Sequence, residues 1–301
     1  RPLPRCRPPP DQRTFTSPAI ESRLGQLLRR KWRDPELSTL LWNCLPNTLD
    51  TTVWQAPSDN DPRTFVSTGD IPAMWLRDSQ NQVSPYVRFA RSEPNGIGSL
   101  LRGLIRRHVD SVLLDPYANS FAFSAADAAC NVDAFTLDNT TKLDETQTRV
   151  NAMGLGVHQR KWEMDSLSSV LKLGRTYYDA TADARPFGQR WLDAIEVIIS
   201  TFRAMQQPLL PGNFTSVNYT FSTLSREPKD TSAHGIGRAH RWTGMVRTAF
   251  LPSDDSPRFP YHIPGNAFAV VELRGAASML RACCGNASAS EVLARDAEAL
   301  A

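Results

Sequence analysis

Six stretches of this chain, 78–90, 97–114, 163–179, 186–207, 265–284 and 289–301, carry apolar residues at a spacing near 3.6. That period lays a stripe along one face of a helix and cannot serve a strand, whose faces alternate every two residues. Two shorter helices precede them. Ser17-Pro18 has the form of an N-cap followed by a first-turn proline, and Ile20, Leu24, Leu27 and Leu28 make its apolar stripe. Asp34-Pro35 opens a second helix that runs to about Cys44. Residues 51–55 and 64–68 alternate and read as a small hairpin, and 215–224 is a lone strand candidate. The connections 115–160 and 225–262 are long and polar, a length that in a compact helical domain points to function or to small strands of their own. The pattern predicts a mainly α fold: a Pro- and Arg-rich segment over 1–16, then one domain over 17–301.

Composition narrows the function. With 41% hydrophobic and 22% charged residues in 301, the chain can bury a large core without a metal or disulfide. A net charge of +3 gives nucleic-acid binding no electrostatic support, and no apolar run reaches the 18 residues of a membrane span. The chain opens on Arg1 and ends within a helical pattern, "SEVLARDAEALA", with no C-cap, so it reads as a fragment. Its five cysteines have no CxxC spacing, which argues against a zinc site. Four N-x-[ST] sequons, at Asn139, Asn213, Asn218 and Asn286, point to the secretory route, secreted or luminal.

Three clusters carry candidate chemistry. "TFVSTGDIPAMWLRDSQNQV" (64–83) sets Trp75 among Asp70, Arg77, Asp78 and Gln82. A sugar needs such a mix, an aromatic for its apolar face and charged groups for its hydroxyls. The same residues also suit a capped turn, local ion pairs and a core tryptophan. "HQRKWEMDSLSS" (158–169) places Glu163 and Asp165 at a helix start. On a helix, positions i and i+2 point some 200° apart, so only one could face a given pocket. Asp165 fits a general acid if burial raises its pKa, and equally the N-cap of a helix beginning at Ser166. The stripe Leu167, Val170, Leu171, Tyr178 does not choose between them. The loop 243–273 holds Arg247, Ser253, Asp254, Asp255 and His262, suited to a polyol or to a solvated turn. Asn119, in "DPYANSF", suits a ligand contact or a turn. His234 and His240 read as surface residues, and no dinucleotide, phosphate-loop, zincin or serine-hydrolase motif occurs.

Taken in order, "CLPNTLDTTV" (44–53), "TGDIPAMWLRDSQNQVSPY" (68–86), "DPYANSF" (115–121), "RKWEMDSL" (160–167) and "PSDD…HIPGNAFAVVEL" (252–273) resemble glycoside hydrolase family 125, in the form of a fungal secreted member. The resemblance implies an (α/α)6 barrel of six inner and six outer helices. It implies a metal- and cofactor-free, monomeric exo-α-1,6-mannosidase that takes N-glycans or fungal mannan and inverts the anomeric centre. Inversion uses two carboxyl groups roughly 6.5–9.5 Å apart, one protonating the leaving oxygen and one deprotonating water. Carried over by position, Asp165 is the general acid, and Asp70, Trp75, Arg77 and Asp78 hold the terminal mannose, with Asn119 and Asp254 as further contacts. The family's general base is a Glu in a later block of the GYMHESF type, which does not occur in residues 1–301. About eight helices are legible where the family barrel has twelve, which predicts an incomplete barrel and poor activity of this chain alone. Leu251 stands where the family usually has an Arg before the Pro, and Arg247 where an aromatic is common, so linkage preference is open. Two other readings stay in play: an inactive mannose-binding paralogue, and another (α/α)6 carbohydrate enzyme.

Overall fold

The computed structural model describes residues 2–54, 62–123, 141–143, 149–151, 156–209, 219–221, 235–284 and 288–301. Helix α1 (Pro18–Leu28) starts as its sequence demands, with Ser17 Oγ accepting from Ile20 N at 3.2 Å. Helix α2 (Pro35–Cys44) likewise starts on Asp34, whose side chain accepts from Glu36 N at 2.8 Å. Such caps satisfy donors that the helix itself leaves orphaned. A short α3 (Asn47–Thr51) follows.

The helix expected over 78–90 divides into α4 (Leu76–Val83) and a 3-10 helix (Ser84–Phe89). Pro85 is the reason: it has no N–H for the ladder, and its ring crowds the carbonyl four residues back. The remaining helices fall close to expectation: α5 (Ile97–Leu114), α6 (Met164–Thr181), α7 (Gln189–Gln206), α8 (Ile263–Cys284) and α9 (Ser288–Leu300). They pack as two rows. Helices α4, α6 and α8 lie side by side as an inner row, and α5, α7 and α9 form an outer row against them. This is the inner–outer construction of an (α/α)6 barrel.

Helix α6 is the centre of the inner row. Every residue from Met164 to Leu171 is buried, including Asp165 and three serines. Small residues let its neighbours come close: a Cβ on Gly174 would stand 2.3 Å from Cη2 of Trp191 on α7. The core around it is continuous, with Leu167, Leu171, Trp191, Ile198 and Phe202 all at 2% exposure or less.

The long connection 115–160 holds small strands of its own, as its length suggested, and they reach a strand at Ala73–Trp75 that was not expected. β1 (Ala73–Trp75), β2 (Ser120–Ala122) and β5 (Val157–Gln159) form an antiparallel sheet in the order β1-β2-β5. β3 (Thr141–Leu143) and β4 (Arg149–Asn151) pair separately. The predicted hairpin of 51–55 with 64–68 reduces to one antiparallel bridge, Val53 with Val66, because α3 takes up residues through Thr51. The strand candidate 215–224 lies largely outside the described residues, and Tyr219–Phe221 form no strand. His240 is buried at 7% exposure, its ring nitrogens 3.1 and 2.9 Å from the carbonyls of Arg238 and Gln207, where a surface residue was expected. Among the described residues no helix is long and apolar enough to cross a membrane. The asparagines of all four sequons lie outside the described residues.

Candidate active site

Because α5 returns the chain from α4, and α7 from α6, the inner helices run in one direction. Their N-termini meet at one end. Asn266 in the first turn of α8 approaches Met164 Sδ of α6 at 3.5 Å, and Arg77 in the first turn of α4 reaches both acids at the start of α6. Helix N-termini carry positive partial charge, so this end favours carboxylates and other acceptors.

The start of α6 differs from both sequence expectations. Asp165 is not an N-cap; it sits inside the first turn, and Glu163 holds the cap position. Nor do the two acids point apart. Glu163 is extended (φ −113°, ψ 111°) and makes no side-chain cap bond, so the i, i+2 helical geometry does not apply to it. Both carboxylates converge on one nitrogen: Arg77 Nη1 lies 2.6 Å from Glu163 Oε2 and 3.3 Å from Asp165 Oδ2. Its Nη2 is 3.2 Å from Asp78 Oδ2, an ion pair without hydrogen-bond alignment.

Asn119 completes the cluster. It precedes β2, is fully buried, and donates from Nδ2 to Gln159 Oε1 at 2.8 Å and to Glu163 Oε1 at 3.2 Å. Its Oδ1 accepts from Lys161 N at 3.2 Å, and its carbonyl accepts from Leu76 N at 3.1 Å. The sheet thus has a purpose for the site, clamping the start of α4 to the segment entering α6. Trp75 ends β1 at 8% exposure, its ring edge-on to His158 with centroids 5.4 Å apart.

Electrostatics follow from this burial. Burial pushes the Glu163 carboxyl up to about 8, with Asp165 and Asp254 adding to the effect and Arg77 opposing it. Burial works against the charge on Arg77, but Glu163, Asp165 and Asp78 outweigh it and raise its pKa. Asp165 Oδ1 and Asp78 Oδ2 are both buried without a hydrogen-bond partner among the described residues, and of the two carboxyls Asp165 is the one whose other oxygen, Oδ2, is tethered by a hydrogen bond from Arg77. Buried polar atoms are nearly always paired, so an unpaired one on a held carboxyl is a place for an incoming donor or acceptor.

The structure gathers Arg77, Asp78, Asp165, Asn119 and Trp75, and leaves two predicted residues aside. Asp70 is exposed in the bend after Gly69, which takes φ +132°. Asp254 is exposed with φ 67° and joins through Lys161, whose Nζ is 3.6 Å from Asp254 Oδ1, 3.3 Å from its carbonyl oxygen and 5.3 Å from the Phe250 ring centre. Gln82 is taken up structurally, donating to Ser67 O at 2.9 Å. Arg247 is buried, donating to Ile236 O at 2.6 Å while its own carbonyl accepts from Trp162 Nε1 at 2.9 Å. Burial lowers its pKa to about 10. Gln159 and Lys161 are contributors that sequence reasoning passed over, and Glu163, weighed there as an alternative to Asp165, joins it at the site. The available signal was a run of charged and polar residues, 158–166, directly preceding an apolar stripe; it is buried throughout. Among the described residues no group of three or more His, Cys, Asp or Glu is placed to hold a metal ion.

Likeness to known proteins places this helical barrel among the glycoside hydrolases. Residues 34–301 match the sequence model of the metal-independent alpha-mannosidases (GH125), and the chain belongs to that family. It is 34% identical over 287 residues to the Meiotically up-regulated gene 157 protein of Schizosaccharomyces pombe, a match covering 93% of this chain and 54% of that protein. It is also similar to a solved metal-independent alpha mannosidase of Streptococcus pneumoniae in a non-productive substrate complex with alpha-1,6-mannobiose. That match has a TM-score of 0.80 at 31% identity and covers 95% of this chain and 61% of the other. The chain therefore spans about half the length of its curated relative.

Proposed function

We propose that the protein is an exo-acting α-mannosidase that cleaves α-1,6-linked mannose from glycan ends with inversion, and that Asp165 is its general acid. The observation that carries this reading is the buried, unpartnered Oδ1 of Asp165 beside an Oδ2 held by Arg77. A general acid needs one oxygen aimed at the leaving group and a fixed carboxyl plane, and proton transfer of this kind contributes about 10²–10⁴-fold in rate. Arg77 and Asp78 supply donors and acceptors for hydroxyls, and Trp75 an apolar wall. Asn119 acts through Glu163 and Gln159, and Asp254 with Lys161 stands at the rim. The α-1,6-mannobiose bound by the Streptococcus pneumoniae neighbour supports the linkage. The four sequons support residence in the secretory lumen or outside the cell.

Incubation with α-1,6-mannobiose and α-1,6-glucobiose, with and without chelator, tests the reading. Mannose release unaffected by EDTA, with the β anomer appearing first by NMR, is the expected result. Glucose release alone, or first appearance of the α anomer, overturns it. Mannose binding without turnover assigns the protein to the sugar-binding alternative.

A further inference from the structure

We propose that Glu163 is a positioning residue for Asp165, acting through Arg77; the inference rests on the role proposed for Asp165 above. Glu163 is at 0% exposure, and both its oxygens are engaged, Oε2 by Arg77 Nη1 at 2.6 Å and Oε1 by Asn119 Nδ2 at 3.2 Å. A carboxylate at a helix N-cap ordinarily serves the helix by accepting from its first N–H groups. Here it makes no such bond: Ser166 N goes to the Glu163 carbonyl at 3.0 Å, and Met164 N to Thr248 Oγ1 at 3.3 Å. The side chain is thus committed to the arginine and the asparagine, at the full desolvation cost of a buried acid.

The consequence is geometric. Arg77 is the only described group that holds Asp165, and it does so through the nitrogen that Glu163 grips more closely, 2.6 against 3.3 Å. Glu163 sets where that nitrogen lies and how much of it Asp165 receives. The charged groups around the pair are Arg77 and Asp78 on α4, and Asp254 with its partner Lys161 at the rim. Glutamine cannot replace Glu163, because it has one acceptor and one donor facing two donors. Asn119 cannot turn to accommodate it, since its Oδ1 accepts from Lys161 N. Glu163→Gln therefore releases Arg77 from one side, and the guanidinium passes more fully to Asp165. The Asp165 carboxyl then turns with that nitrogen out of the plane that proton transfer needs.

The test is a carboxyl-carbon NMR titration of Asp165 in the 13C-labelled chain, the signal assigned by its loss in Asp165→Asn. Glu163→Gln should abolish the response of the Asp165 signal to the titration of residue 163, and Glu163→Asp, which keeps a carboxyl there, should retain part of it. In the unaltered protein the Asp165 signal should show a second inflection where Glu163 titrates, a measurement that needs no variant to fold. A one-step Asp165 curve in the unaltered protein, or a second inflection that persists in folded Glu163→Gln, overturns the proposal. A second readout is kinetic: kcat should fall about tenfold or more with KM within about threefold. If the unaltered protein releases no mannose while the titrations behave as stated, the positioning stands and the assigned reaction fails.

Discussion

The two ends of α6 hold similar groups in opposite conditions. At its C-terminal end Asp183 accepts from Tyr177 Oη at 2.5 Å and from Arg185 Nε and Nη2 at 2.8 Å each, with Arg102 Nη1 at 3.5 Å. Burial opposes the charge there, but the hydrogen bonds from Arg185 and Tyr177 win and hold the Asp183 carboxyl well below its ordinary range. At the N-terminal end the same ingredients, an arginine and acids, leave Glu163 pushed up to about 8 and Asp165 with a bare oxygen. A network with every lone pair answered stabilises the fold. One left incomplete is a cost to the fold that a substrate can relieve.

The largest expected difference is chemical. Asp165→Asn should lower turnover by about 10²–10⁴-fold while mannose affinity persists and stability stays within about 1 kcal/mol. Turnover and thermal melts check both halves, and surviving activity would remove the functional end of the comparison. Next in size is Asp183→Ala, which strips partners from Tyr177 and Arg102. It should cost about 2–3 kcal/mol in chemical denaturation and leave the Asp165 titration unmoved.

A third expectation uses pH. Glu163 binds its proton more tightly folded than unfolded, so it favours the fold at low pH and that preference is lost as pH rises from about 4.5 through about 8. Asp183 has a depressed folded pKa, so its contribution is present above its ordinary 3.8 and fades as pH falls below it. The contribution of this pair should therefore be greatest between about 3.8 and 4.5, and Glu163→Gln should flatten the decline from there toward pH 9 in melts. The smallest effect concerns the helix joining the two ends. Gly174→Ala meets Trp191 at 2.3 Å and should cost about 1–3 kcal/mol without altering either carboxylate network. A change in the Asp165 titration of that variant would mean the two ends are coupled through the helix.

Much of the scaffold was legible from residues alone, because its signals are local. Ser17 and Asp34 announce their helices, and the apolar stripes of 97–114 and 186–207 required little adjustment. The site was legible as a set of residue types, less so as an arrangement. Trp75, Arg77 and Asp78 stood out in one block, yet Asp70 from the same block stays in solvent. Glu163 and Asp165 could not be ranked, because the argument assumed both were helical. The helix begins at Met164, one residue later than the stripe over 163–179 predicts, which leaves Glu163 extended and turns both acids toward Arg77.

What the sequence determined by itself was the mainly helical fold and the family, the first through periodicity and caps, the second through five ordered blocks. What only the tertiary structure decided was which carboxyl is satisfied and which is exposed to chemistry. Arg77 and Glu163 are 86 residues apart in the chain and 2.6 Å apart in space. Sequence spacing reports neighbours within a turn or two of helix, whereas hydrogen bonding and desolvation depend on distances that only the packed inner row sets.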